Sequence, residues 1–182
     1  HLALKKDIKL PTKRLDWSNY DVIFATVHRR ENWGSNLDDI CQGLKLIAQK
    51  NKDLSIVLPL HPNKTIKKRI VKNLGNCNNI ILCEAVPYDM FVLLMEESKL
   101  VITDSGGLQE EAPSLNKPVL ILRNITERNE AIQSGTARLI GTKSEGILEI
   151  TNKVLNDHSV YEKMANALNP FGDGTASNKI IK

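Results

Sequence analysis

A short apolar run ends in Asp104-Ser105-Gly106-Gly107-Leu108-Gln109-Glu110-Glu111-Ala112-Pro113. Two glycines at a strand-to-helix turn let the main chain come close to a ligand. The start of the helix behind them offers unpaired N–H groups and the positive end of its dipole. That combination suits a phosphate, and the Ser105 hydroxyl adds a donor. Glu111 stands about one and a half turns further on, where a carboxylate can accept bonds from ribose hydroxyls. A plain strand-to-helix turn capped by Ser105 uses the same residues. Against that simpler reading, two adjacent carboxylates and a proline are odd choices for a helix that only packs.

Three more polar segments follow apolar runs. Thr26-Val27-His28-Arg29-Arg30-Glu31-Asn32 places an imidazole and a planar guanidinium fork where phosphate oxygens could be met. The same segment suits a polar loop closed by its own ion pairs. His61-Pro62-Asn63 offers a second imidazole, and a lone histidine is also a common structural residue. Arg123-Asn124-Ile125-Thr126-Glu127-Arg128-Asn129-Glu130-Ala131 adds cations and carboxylates, or a solvated helix start capped by Thr126. The turn-rich Asn169-Pro170-Phe171-Gly172-Asp173-Gly174-Thr175-Ala176-Ser177 precedes a final helix. It serves as punctuation or as a loop beside a cleft.

These segments need elements to carry them. Continuous apolar runs predict strands over 21–27, 55–60, 79–83, 100–103, 118–122 and 137–140. A helix capped by Ser35 would turn Leu37, Ile40, Leu44 and Ile47 inward. Further helices are expected over 65–74, 88–97, 108–115, 126–134, 144–155 and 159–168. Strands alternating with helices imply βαβ units, so the expected fold is α/β, a Rossmann-like parallel sheet with helices on both faces. Such strands are buried on both sides and read as unbroken apolar runs. Ligands of open α/β sheets bind at the carboxyl ends of the strands, where all four segments lie. The expected ligand is anionic, and a nucleotide diphosphate fits it best. Neither G-x-G-x-x-G nor a Walker A loop is present, which disfavours dinucleotides and NTP hydrolysis.

The 182 residues suit one domain. Residues 1–19 read as an interdomain connector, 20–168 as the Rossmann-like nucleotide-binding domain, and 169–182 as a C-terminal turn and helix. His1 is no initiator methionine, so a longer parent protein is expected. Apolar residues make up 41% and charged residues 25%. No apolar run approaches the ~20 residues of a membrane span, the start lacks a signal-peptide core, and a cytoplasmic location is expected. Cys41, Cys77 and Cys83 lack zinc-ligand spacing and read as free thiols. The net charge of +4 gathers on Lys64, Lys67, Lys68, Arg69 and Lys72, a helical pattern that suits a solvated face. With 4% aromatics, a stacking platform for nucleic acid is poorly supplied.

Together the motifs resemble those of the bacterial non-hydrolysing UDP-N-acetylglucosamine 2-epimerases, in order and spacing, over nearly all of the chain. Hydrolysing epimerases and GT-B glycosyltransferases share the architecture without this motif set. The resemblance implies a GT-B-like enzyme of two Rossmann-like domains with the active site between them. This chain resembles the carboxyl-terminal domain. Ser105, Gly106 and Gly107 would hold the diphosphate, helped by His28. Glu111 would bind the ribose, the main chain at Phe91 the uracil, and Arg128 would also contact the nucleotide. Arg29 and His61 match residues that meet a second UDP-GlcNAc acting as allosteric activator.

The implied reaction inverts C2 of UDP-GlcNAc to give UDP-ManNAc for cell-surface polysaccharide biosynthesis, through elimination and re-addition of UDP. His28 is the catalytic candidate here. The principal carboxylates for moving the C2 proton would lie in the amino-terminal domain. Neither a cofactor nor a metal is implied, and the full-length protein would form a homodimer with no nucleic-acid or membrane partner. Three loop positions depart from the family: Lys64 and Asn129 stand where proline is usual, and Asn116 where glycine is usual. Val86 replaces a polar uracil contact of some members. A GT-B glycosyltransferase donor domain and a non-catalytic nucleotide sensor are the alternatives.

Overall fold

The structure, a computed structural model, describes residues 21–172 and 174–181. The connector expected over 1–19 lies outside the described residues. Six strands form one sheet among the described residues: β1 (Asp21–Thr26), β2 (Leu54–Pro59), β3 (Ile80–Cys83), β4 (Leu100–Thr103), β5 (Val119–Ile121) and β6 (Ala137–Leu139). Their order is β3-β2-β1-β4-β5-β6, and every neighbouring pair is parallel. The expected parallel sheet is therefore present, with strand ends within a residue or two of the apolar runs.

The helices are α1 (Ser35–Lys50), α2 (Lys64–Leu74), α3 (Tyr88–Glu97), α4 (Gly106–Glu111), α5 (Asn129–Ser134), α6 (Ser144–Asn156), α7 (His158–Ala165) and α8 (Ala176–Ile180). They cover both faces of the sheet. Ile23 and Ala25 of β1 face a core built with α1, α2, α6 and α7. Val22 and Phe24 face a second core built with α3, α4 and α5. This alternation is the period of two that strand geometry imposes. β2 is buried at all six positions, which explains why it reads as an apolar run. Gly43 lets α1 approach α6: a Cβ there would stand 2.9 Å from Ile147.

Several helix ends differ from the sequence reading, each for a local reason. Ser35 is the first residue of α1, and the cap position is Gly34, with φ of 91°. α2 is capped by Asn63, whose side chain accepts from the N–H groups of Thr65 and Ile66 at 2.9 and 3.3 Å. α4 begins at Gly106 and ends at Glu111, and Ala112–Leu115 tightens to a 3₁₀ turn around Pro113. That turn ends at Asn116 with φ of 57°, a left-handed conformation that asparagine tolerates and glycine favours. α5 starts three residues late, at Asn129. The Thr126 hydroxyl accepts the Arg128 N–H at 3.1 Å, closing a local turn before the helix. Lys64 and Asn129 are both first helical residues, the position where proline's fixed φ is pre-organised.

β1 leads through α1 to β2 on one side of the sheet, whereas the chain returns after β3 to place β4 on the other side of β1. The strand order thus reverses between β1 and β4. A doubly wound sheet opens a crevice there, at the carboxyl ends of those two strands.

Candidate functional site

Asp104 closes β4 and organises the crevice. It is wholly buried. Its carboxylate accepts the main-chain N–H of His28 at 2.9 and 3.1 Å, that of Arg29 at 2.9 Å, and the Asn32 amide at 2.9 Å. Asn32 also reaches the Leu122 carbonyl at 3.3 Å. One carboxylate therefore fixes the loop after β1 against the ends of β4 and β5. Underneath, the Thr26 and Thr103 hydroxyls meet at 2.7 Å, and Thr103 accepts the Ser105 N–H at 2.9 Å.

This clamp turns His28 toward His61, their ring centres 5.5 Å apart and tilted by 55°. Trp33 meets His61 edge-on at 5.6 Å. The Nδ1 of His61 accepts the Asn63 N–H at 3.0 Å, which leaves its proton on Nε2 in the neutral ring. His28 Nε2 is buried and meets no protein partner among the described residues. Buried polar atoms are nearly always bonded, so this atom is suited to a ligand. The sequence reading did not single out Trp33, Asn32 or the clamping role of Asp104.

The glycine turn stands across the crevice. Ser105 occupies the cap position of α4, as the simpler reading has it, but its side chain makes no cap bond, so the hydroxyl is available. A Cβ on Gly106 would meet only the Arg128 guanidinium, at 3.9 Å. A Cβ on Gly107 would stand 3.5 Å from Glu111 Oε1 and 3.9 Å from the Ser105 hydroxyl. Arg128 is tied by its Nε to Glu110, leaving the fork free on the side of the turn. Glu111 accepts from the Tyr88 phenol at 2.9 Å, a bond that raises the phenol above its usual range. Ser105, Gly106, Gly107, Glu111 and Arg128 are thus brought together, with His28 beside them through Asp104.

Phe91 lies in α3, its ring against Phe24 at 4.8 Å in an edge-on contact. Its N–H already donates to the Pro87 carbonyl at 2.9 Å, so an incoming base would have to use its carbonyl. Arg29 points along the rim: it pairs with Glu127 at 3.2 Å and with Glu31 at 3.7 Å. Arg123, overlooked as a site residue, completes this network with Glu127 at 2.5 Å and Glu31 at 3.0 Å. Hydrogen bonds from Arg123 hold the Glu127 carboxyl down at about 2. The loop after β1 thus carries ion pairs, within itself and to Glu127, and leaves His28 Nε2 without a protein partner among the described residues. The segment after α7 is fastened by Asn169, which donates to the Ser114 hydroxyl at 2.8 Å, and Phe171 packs on the second core. No cluster of three metal-ligating side chains occurs among the described residues, and no described helix is long and apolar enough to cross a membrane.

Burial pushes the His28 imidazole below its ordinary 6.5; Asp104 opposes the shift and His61 adds to it. The ring is therefore neutral at pH 7 and costly to charge. Its contribution to stability is fully present above pH 6.5 and is lost as pH falls through the window beneath. An anion bound at Nε2 would raise this pKa. Ligand binding should then take up protons and tighten as pH falls below 6.5. Calorimetry in two buffers of different ionisation enthalpy reads that uptake directly, and His28→Gln should abolish it.

The sequence profile of the UDP-N-acetylglucosamine 2-epimerase family matches residues 2–182. The chain is 46% identical over 163 residues to the UDP-N-acetylglucosamine 2-epimerase of Campylobacter jejuni, covering 90% of this chain and 43% of that protein. It superposes on the crystal structure of UDP-GlcNAc 2-epimerase from Neisseria meningitidis bound to UDP-GlcNAc with a TM-score of 0.86. Identity there is 44%, over 90% of this chain and 44% of the other. The C-terminal domain of a group 1 glycosyltransferase family protein from Francisella tularensis matches with a TM-score of 0.62. At 15% identity, over 84% of this chain and 82% of that domain, it shows a common fold alone. The chain spans about half the length of the curated relatives it matches.

Proposed function

Because this chain belongs to the UDP-N-acetylglucosamine 2-epimerase family, we propose that it forms the half of such an enzyme that holds UDP while C2 of UDP-GlcNAc is inverted. The observation that carries this reading is the glycine turn at the β1/β4 crevice, faced by Arg128 and flanked by His28. Ser105, Gly106 and Gly107 hold the diphosphate, His28 Nε2 and Arg128 contact it, and Glu111 takes the ribose. The Phe91 carbonyl meets the uracil.

Elimination of UDP leaves negative charge on the β-phosphate oxygen. Donors already fixed around that oxygen stabilise the charge without reorganising, and this half supplies them. Removing and returning the C2 proton needs positioned acid and base groups. We place those carboxylates in the remaining part of a longer protein, in a second Rossmann-like domain. Arg29 and His61, on the rim, take a second UDP-GlcNAc as activator. We assign residues 20–168 to the binding domain and 169–182 to a separate C-terminal segment; Asn169 and Phe171 fasten the described part of that segment. The proposal carries a cytoplasmic, homodimeric enzyme without metal or nicotinamide.

The test is UDP binding by calorimetry. Ser105→Ala and Arg128→Ala should each weaken it, by roughly 1.5–3 kcal/mol per bond to the charged ligand. Unchanged affinity in both would move the site elsewhere. Incubated with UDP-GlcNAc and followed by proton NMR, the 182-residue chain alone should form no epimer. Turnover would overturn the half-site assignment.

A further inference from the structure

We infer that Gln109 is a positioning residue that locks Arg128 to the glycine turn, an inference that rests on the UDP reading above. Gln109 follows the turn by only two residues and is wholly buried, which is unusual for an uncharged polar side chain on a helix of six residues. Its carboxamide is used at both ends. The Nε2 donates to the Ser105 carbonyl at 3.1 Å. The Oε1 accepts from the Thr126 hydroxyl at 2.6 Å. The Thr126 oxygen in turn accepts the Arg128 N–H at 3.1 Å. A continuous relay thus runs from the first residue of the turn, through one amide and one hydroxyl, to the main chain of Arg128.

The chemistry of the relay is directional. A carboxamide can donate to a carbonyl and accept from a hydroxyl at the same time; a carboxylate at this position has no proton to give Ser105. A hydroxyl has one proton and two lone pairs, so Thr126 can give to Gln109 while receiving from Arg128. At its surface the segment between β5 and α5 is held by the ion pairs of Glu127 with Arg29 and Arg123. Ile125 is 78% exposed, and Asn124 and Glu127 also face solvent, whereas Thr126 is buried. The hydrogen bond to Gln109 is the inward tie of this loop at Thr126. Glu110, next on α4, ties the other end of the same residue by holding Arg128 Nε. Arg128 is therefore fixed through its main chain by Gln109 and through its side chain by Glu110. A guanidinium fork serves a diphosphate only when held within about half an ångström of the productive place.

The experiment is a double-mutant cycle on UDP affinity, with melting temperatures alongside. Thr126→Val deletes the relay's middle at nearly constant shape. It should weaken UDP binding by about tenfold, the worth of one displaced bond to a charged ligand. Thr126→Ser keeps the hydroxyl and should restore affinity to within about twofold. In an Arg128→Ala background, Thr126→Val should cost less than about twofold, because the residue it positions is gone. Gln109→Leu should reproduce the loss and speed amide exchange at Arg128. Should that variant not fold, the Thr126 cycle decides alone. Wild-type affinity in Thr126→Val, or an equal loss with and without Arg128, would overturn the inference. Absence of UDP binding by the unmodified chain would instead overturn the UDP reading itself.

Discussion

Gly106→Ala is expected to leave the fold intact and to remove most of the UDP affinity. The new methyl group would meet no protein atom closer than the Arg128 guanidinium at 3.9 Å, an ordinary contact. Gly106 is also the first residue of α4, where alanine is the better helix former. Stability should hold or rise, by up to about 1 kcal/mol. The methyl group nevertheless fills the gap between the turn and the guanidinium, which is the place assigned to the diphosphate. Loss of close approach should weaken UDP by at least about tenfold, or 1.4 kcal/mol. Calorimetry paired with thermal denaturation separates the two effects. Undiminished affinity would show that no phosphate enters between Gly106 and Arg128.

Asp104→Ala should produce the largest loss of stability. The substitution strands two main-chain N–H groups and the Asn32 amide at a site with no exposure. Each buried donor left unbonded costs about 1–3 kcal/mol, so a total of about 3 kcal/mol or more is expected. For a domain of this size that lowers the melting temperature by roughly 6–12 °C. Asp104→Asn keeps one acceptor oxygen and should fall between the two. Because His28 and Arg29 hang on this carboxylate, UDP affinity should drop with stability. A shift below about 2 °C would mean that the loop after β1 is held by something else.

The strands were legible in the sequence because a parallel sheet buries both faces, and β2 is the plainest case. The segments at their carboxyl ends were legible as well, since five polar residues after β1 or a glycine pair after β4 break so sharply with what precedes them. The sheet order was not, because it depends on pairings between distant residues. The same distance hides Asp104: its partners lie more than seventy residues away, and in the sequence it is only the residue before Ser105. Gln109 reads as a polar helix residue and turns out to be wholly buried, since its two partners come from separate segments. The start of α5 was misplaced because Thr126 has the composition of a cap and spends its hydroxyl in a turn. Arg29 read either as a phosphate ligand or as part of an ion-paired loop, and its partner Glu127, 98 residues on, could not be seen in the sequence. Phe91 shows the reverse limit: a helix could be foreseen at 88–97, though not that its fourth N–H was already spent.

The central claim is that UDP binds by its diphosphate at the start of α4. An NMR titration of the ¹⁵N-labelled chain with UDP tests it most directly. The largest amide shifts should fall on Ser105, Gly106, Gly107 and Leu108, with a second group at His28 and Arg128. Inorganic pyrophosphate should reproduce the α4 shifts without those around Phe91. Saturable binding that leaves the Gly106 and Gly107 amides unmoved would contradict the account.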